Sequence, residues 1–133
     1  MRFCVPKWNI PSRGYLANSA IPALETAIAE ALKVQLKECV WEVHLTTDIW
    51  SSRQVNDFMS VTVHWIAPDS KVSLTRNNAV LDMSGFGQQH TAYDIGQKLE
   101  DVVETWLVPL GVKVGIVTSD NAQNVVKALN DRG

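Results

Sequence analysis

At Trp41 the hydrophobic period of this 133-residue chain changes from about four residues to two. Before that point Leu24, Ile28, Leu32 and Leu36 recur every fourth residue, the spacing of one helix face. The spacing predicts a packing helix over about Ala20–Glu38, capped by Ser19 and with Pro22 in its first turn. Residues 1–18, broken by Pro6, Pro11 and Gly14, read as an extended entry. After the switch, Trp41, Val43 and Leu45 alternate with Glu42, His44 and Thr46, which predicts a first strand ending near Trp50. A polar loop over Ser51–Asp57 leads to a second strand over Phe58–Ala67. Met59, Val61, Val63 and Trp65 lie on one of its faces, and Ser60, Thr62 and His64 on the other. The turn Ala67-Pro68-Asp69-Ser70 opens a third strand over about Lys71–Met83, interrupted in character by Arg76-Asn77-Asn78.

The period then returns to helical. Ser84-Gly85-Phe86-Gly87 reads as a loop, and Thr91 with Asp94 three residues on resembles a capping box. Ile95, Leu99, Val102 and Trp106 form the apolar stripe of the helix that follows, which Pro109 and Gly111 end. Val112–Thr118 is a short, nearly all-apolar fourth strand, the pattern of a strand covered on both faces. Ser119-Asp120-Asn121 turns into a final helix with Val125, Val126 and Leu129 inward. Three antiparallel strands, a helix and a fourth strand parallel to the first make an α/β chain. A right-handed crossover places the fourth strand beside the first, in the sheet order 3-2-1-4.

Composition limits what such a chain does. It is 46% apolar and 20% charged with a net charge of −2, so it folds rather than staying disordered. No apolar run approaches the roughly 18 residues of a membrane span, and the start carries no secretory leader pattern. Cys4 and Cys39 are too few for a disulfide framework or a four-ligand zinc site, so a reduced, intracellular protein is expected. Residues 1–39 hold five basic and three acidic residues, and the remainder holds seven and eleven. A self-sufficient DNA-binding domain carries a basic face, because phosphate contacts supply most non-specific affinity, and this chain has no such excess.

The order 3-2-1-4 sets Asp48 and Asp120 at the carboxyl ends of adjacent parallel strands, about 5 Å apart along the backbone. Two carboxylates meeting there suit a hard divalent cation, Mg²⁺ or Mn²⁺, of the kind that drives phosphodiester displacement. Each also has a plainer role, Asp48 as a strand-end turn residue and Asp120 as a helix N-cap. The order 4-3-2-1 would part them by three strand spacings, roughly 14 Å. His44 and His64 lie on the polar faces of neighbouring strands and fit a cross-strand pair better than a metal site. His90 reads as a loop residue. Trp50 reads as a core or lid residue more than as a stacking platform for a base.

The string Leu45-Thr46-Thr47-Asp48-Ile49-Trp50-Ser51-Ser52-Arg53 resembles the first catalytic block of hAT-superfamily DNA transposases and of the BED-type zinc-finger proteins descended from them. Val61–Ile66 resembles that family's second strand, and His90-Thr91-Ala92 with Ile95 the opening of its first sheet-covering helix. Glu104-Thr105-Trp106 resembles that helix's end, and Val117–Ala128, holding Ser119-Asp120-Asn121-Ala122, the second catalytic block. Ile10–Arg13 and Ile21-Pro22 resemble the stretch leading into the catalytic domain.

The resemblance implies a ribonuclease-H-like domain whose Asp-Asp-Glu triad binds divalent metal, with Asp48 and Asp120 matching the two aspartates as catalytic and metal-binding residues. The family's glutamate lies far downstream, so the expectation is an internal fragment of a larger protein. It comprises a lead-in segment and helix over 1–39 and an incomplete ribonuclease-H-like domain over 40–133. The function expected is that of a transposase-derived nuclear protein that binds DNA and regulates transcription, without catalysis of its own. The alternative is the catalytic core of an active transposase performing divalent-metal-dependent strand cleavage and transfer. DNA contact and zinc would both belong to a BED finger outside this chain. A free fourth-strand edge favours homodimers, and neither a membrane nor a small-molecule substrate is expected.

Overall fold

The computed structural model describes residues 10–53, 57–69, 73–86, 91–120 and 123–130. The chain divides into two compact units, one ending at Leu32 and the other beginning at Lys33. In the first, Ser12 caps a helix seven residues earlier than Ser19 was expected to, its side chain accepting the Tyr15 N–H. The helical path runs through α1 (Arg13–Tyr15), a five-residue π segment (Leu16–Ala20) and α2 (Ile21–Lys37). Residues 13–18 are therefore helical, not extended. The π segment explains how Pro22 is tolerated inside the path. Proline has no N–H to give, its ring crowds the preceding turn, and the wider turn closes instead through the Ile21 N–H on the Leu16 carbonyl. The expected apolar face is split: Leu32 and Leu36 are buried, whereas Leu24 and Ile28 are about 60% exposed.

The second unit is built on one mixed sheet of four strands, β1 (Val43–Ser51), β2 (Asp57–Pro68), β3 (Leu74–Phe86) and β4 (Val114–Ser119), in the order β3-β2-β1-β4. The expected order is the observed one. β1–β2 and β2–β3 are antiparallel, and β1–β4 is parallel. At two places β3 holds residues that the side-chain pattern does not favour, for the same reason: the ladder bonds backbone to backbone, whatever the side chain. Arg76, Asn77 and Asn78 sit in register with Ile66, Trp65 and His64. Ser84 and Gly85, expected in a loop, pair with Met59 and Phe58. The start of the third strand at Lys71 lies outside the described residues.

Alternation decides which side of the sheet is core. Val43 and Leu45 of β1 are buried on the same face as Met59, Val61, Val63 and Trp65 of β2. Over this face lie α3 (Ala92–Trp106) and α4 (Gln123–Asn130). Thr91 caps α3 by accepting the Asp94 N–H at 3.1 Å, and the stripe Ile95, Leu99 and Val102 is buried as its spacing requires. A bulge on β3 buries the extra residue Leu81, and the adjacent Asp82 meets Lys98 of α3 at 3.2 Å. A short 3₁₀ turn, Val108–Leu110, ends on Gly111 with φ 68°, which glycine adopts without the Cβ penalty. From there the chain enters β4.

Two packing expectations are corrected. β4 is not covered on both faces, since Val114 and Val117 line the helical side while Ile116 is 60% exposed on the other. β4 is the last strand of the sheet, and the described helices over it lie on one face only. In α4, among the described side chains, Ala128 is buried and Val126 is exposed, while the side chains of Val125 and Leu129 lie outside the described residues.

The β1–β4 pairing contains an irregularity. Val43 pairs with Val114 and Leu45 with Val117, so β4 carries one extra residue around Gly115–Ile116. The Ile116 N–H at this bulge donates to Nδ1 of His44 at 3.1 Å, so a side chain replaces the missing ladder acceptor. Beyond the bulge the register is regular: Thr46 faces Thr118 and Thr47 faces Ser119.

Two measurements check this arrangement. The Thr47 hydroxyl is buried and finds no partner among the described residues. Replacing it with a methyl removes an unsatisfied polar group at nearly constant volume, so Thr47→Val should stabilise the chain by about 1 kcal/mol in urea unfolding. A loss of stability would mean the hydroxyl is bonded. Continuing the register one step sets Asp48 beside Asp120, with Cα atoms about 4.8 Å apart. In a chain whose native cysteines are serine, cysteines at 48 and 120 should oxidise readily to a disulfide. A pair at 60 and 120, two strands apart, should not, and the reverse result would refute the strand order.

Candidate functional site

Asp48 lies near the carboxyl end of β1 and Asp120 immediately after β4. Both are exposed, and the register brings them to neighbouring positions on adjacent parallel strands. Side chains of paired residues in a parallel ladder leave the sheet on the same side. Asp48 faces away from the buried face because Thr47, its neighbour, is buried on the core side. The side that carries Asp48 is therefore the side that α3 and α4 leave open, and Asp120 follows directly on the last paired residue, Ser119.

The surroundings of Asp48 are set by its strand partners. Ser60 of β2 lies opposite it. Two residues before it, the Thr46 hydroxyl and Nε2 of His64 lie 3.0 Å apart. Two residues after it, Trp50 stacks on its cross-strand partner Phe58, with ring centroids 5.8 Å apart and planes 20° from parallel. The Ser51 hydroxyl donates to the Asp57 carboxylate, joining the end of β1 to the start of β2. Trp50 is partly exposed and held by the stack, so it stiffens the strand ends beside Asp48.

Two adjacent carboxylates in water-accessible positions repel each other, and a hard divalent cation between them relieves that repulsion. The donor set fits Mg²⁺ or Mn²⁺ in kind, two carboxylate oxygens from two strands, and no group of three His, Cys, Asp or Glu able to hold a metal occurs among the described residues. His44 and His64 are directly opposite in the β1–β2 ladder. Each is engaged, His44 with the β4 bulge and His64 with Thr46. His90 lies outside the described residues.

Sequence reasoning brought Asp48 and Asp120 together but missed what His44 does. The only sequence signal for the bulge is Gly115, the one residue of the fourth strand without a side chain. A Cβ there would collide with the Glu42 carboxylate.

No helix among the described residues is long and apolar enough to cross a membrane. Residues 46–132 match the family described as ZBED1 RNase-like domain. Zinc finger BED domain-containing protein 6 of Homo sapiens is 31% identical over 141 aligned residues, covering 100% of this chain and 14% of the relative. Its Mus musculus counterpart is 30% identical over the same shares. Zinc finger BED domain-containing protein 4 of Homo sapiens is 29% identical over 98% of this chain and 12% of its own length. No solved structure matches the chain. The family match takes in both aspartate blocks and nearly all of the β3-β2-β1-β4 sheet, and on that ground the chain belongs to the ribonuclease-H-like domain family of the hAT-derived BED zinc-finger proteins.

Proposed function

We propose that this chain is the scaffold domain of a nuclear, BED-finger-type protein that binds DNA and regulates transcription, and that it performs no strand cleavage itself. The observation that carries this reading is the pairing of family membership with charge. The relatives are zinc finger BED domain-containing proteins, of which the chain spans 14% or less. The residues from 40 onward hold seven basic against eleven acidic side chains. Such a surface gives up the counterion release that drives protein–DNA affinity, so the grip on DNA belongs to a zinc finger elsewhere in the protein. Cys4 and Cys39 stand 35 residues apart and the three His 20 or more apart, not at the close paired spacing of zinc-finger ligands. β4 is the last strand of the described sheet, and edge-to-edge pairing with a second copy is the partner interaction this geometry favours.

One observation favours the alternative, an active transposase core: the β1–β4 register sets Asp48 next to Asp120. In that case Mg²⁺ or Mn²⁺ held by the two carboxylates would supply a Lewis acid and an activated water or hydroxyl for phosphodiester displacement. The chain's own contribution would be to fix the two carboxylates on rigid strands, with the Trp50–Phe58 stack holding the strand ends. Two ligands leave such ions under-coordinated and loosely placed, which is why the non-catalytic reading is preferred.

The two readings separate experimentally. The purified chain should leave supercoiled plasmid intact in millimolar Mg²⁺ or Mn²⁺ and should not retain duplex DNA in a mobility-shift assay at physiological salt. Tethered to a heterologous DNA-binding domain upstream of a reporter in the nucleus, it should change transcription severalfold. Mn²⁺-dependent nicking that Asp48→Asn abolishes would establish the enzyme instead. A tethered chain with no effect on the reporter would sink the regulatory role.

A further inference from the structure

At the end of the sheet away from the aspartates lies a cleft of about 600 Å³. Trp41 and Glu42 enter it just before β1, Lys113 just before β4, and Arg76 from the start of β3. Trp41 lies seven residues from Asp48 along β1, roughly 20 Å in extended chain, so the two places are separate.

Each side chain there narrows the ligand. Trp41 is 68% exposed, an indole plane offered to solvent. Such planes stack on flat rings, and stacking is tolerant of which ring arrives. Arg76 and Lys113 bring two positive charges, and neither meets a carboxylate among the described residues. Phosphate oxygens suit both, Arg through its planar fork and Lys as a point charge. His44 uses Nδ1 to accept the Ile116 N–H, so its neutral ring carries the proton on Nε2 and adds a further donor. Trp65, 3% exposed, also lines the cleft, and its buried indole N–H finds no acceptor among the described residues. Against these donors stands one acceptor, the Glu42 carboxylate, which lies over Gly115 because no Cβ blocks it. An amino group on the ligand would satisfy it.

We propose that this cleft binds a nucleoside phosphate: a flat base on Trp41, its amino edge toward Glu42, and its phosphate between Arg76 and Lys113. The volume falls in the range of small-molecule sites. The same chemistry occurs in a free mononucleotide and at the phosphorylated end of a single strand, and the test distinguishes them. The site is independent of the metal question, since neither Asp48 nor Asp120 lines it.

The experiment titrates the whole chain with 5′-AMP, a 5′-phosphorylated oligo-dA, adenosine, inorganic phosphate and an acidic, tyrosine-containing peptide, read by calorimetry and by shifts of the indole N–H signals in NMR. AMP should bind saturably and at least about tenfold tighter than adenosine or phosphate alone, because ring and anion contribute together. Trp41→Ala should weaken AMP about tenfold while leaving phosphate nearly unchanged. Arg76→Gln with Lys113→Gln should weaken AMP by a similar factor while leaving adenosine nearly unchanged. All three side chains are exposed, so these variants should keep the parent melting temperature, and Asp48→Asn should bind AMP like the parent. AMP binding at least as tightly as the oligonucleotide identifies a free nucleotide as the ligand, and the opposite ranking identifies a strand end. The proposal is overturned if neither probe saturates, if the variants bind AMP unchanged, or if the peptide outcompetes AMP.

Discussion

The parallel contact between β1 and β4 is the constraint on which the rest of the second unit depends. Without it, β1, β2 and β3 form a three-stranded meander with one apolar face and nothing to cover it. Parallel strands cannot be joined by a tight turn, so their pairing requires a crossover long enough to span the sheet. Here the crossover is α3, whose buried stripe Ile95, Leu99 and Val102 lies over the face that Leu45 and Val63 present. One non-local pairing therefore closes the core and fixes the sheet order together. The entropy of closing that loop is offset by burial along the whole stripe rather than by the few ladder bonds of β4.

The pairing is imperfect, and its imperfection is resolved locally. One extra residue in β4 shifts the register between Val43 and Leu45, and the stranded Ile116 N–H goes to His44. The bulge lies at the amino end of the strand pair, so the regular ladder resumes before Thr46 and reaches the strand ends intact. Had the shift fallen after Thr47, Asp48 would no longer be level with Asp120. The bulge also brings Gly115 under Glu42, a close approach that any side chain at 115 would contest. The irregular end of the pair thus gathers polar groups from both strands, while the regular end aligns two like charges.

Much of this was legible in the residues and some was not. The change from period four to period two at Trp41 located the strands, and crossover handedness selected 3-2-1-4. The Thr91 cap and the α3 stripe were readable because both depend on residues within one element. What failed to show was anything set by a partner. β3 was expected to stop at Met83, yet β2 holds Ser84 and Gly85 in the ladder through backbone bonds alone. β4 looked covered on both faces because Val, Ile and Val follow one another. Its position as last strand and the one-sided placement of the described helices leave Ile116 exposed instead. Ser19 looked like a cap, but Ser12 starts the helix earlier and the π segment carries it past Pro22. As for the candidate site, the motif and the sheet order located Asp48 and Asp120, while the engaged state of His44 depends on a bulge whose one local sign is Gly115.

The two ends of the β1–β4 pair differ in charge, and that difference bears on what the fold retains. Near the carboxyl ends stand two acids, Asp48 near the end of the β1 ladder and Asp120 just after β4; at the amino ends the approaching segments bring Trp41, Glu42 and Lys113, with Arg76 from β3. A parallel pair places all its chain entries at one end and all its exits at the other, so the two clusters are separated by the length of the strands. Substitutions of Asp48 or Asp120 act on exposed side chains, and they need not disturb the packing of Val43, Leu45 and Val117 beneath. The scaffold therefore does not depend on its two exposed carboxylates. The face that Asp48 shares with Thr46 and His64 stays polar enough to remain open to water, and the apolar weight of the unit rests on the other side, under α3 and α4.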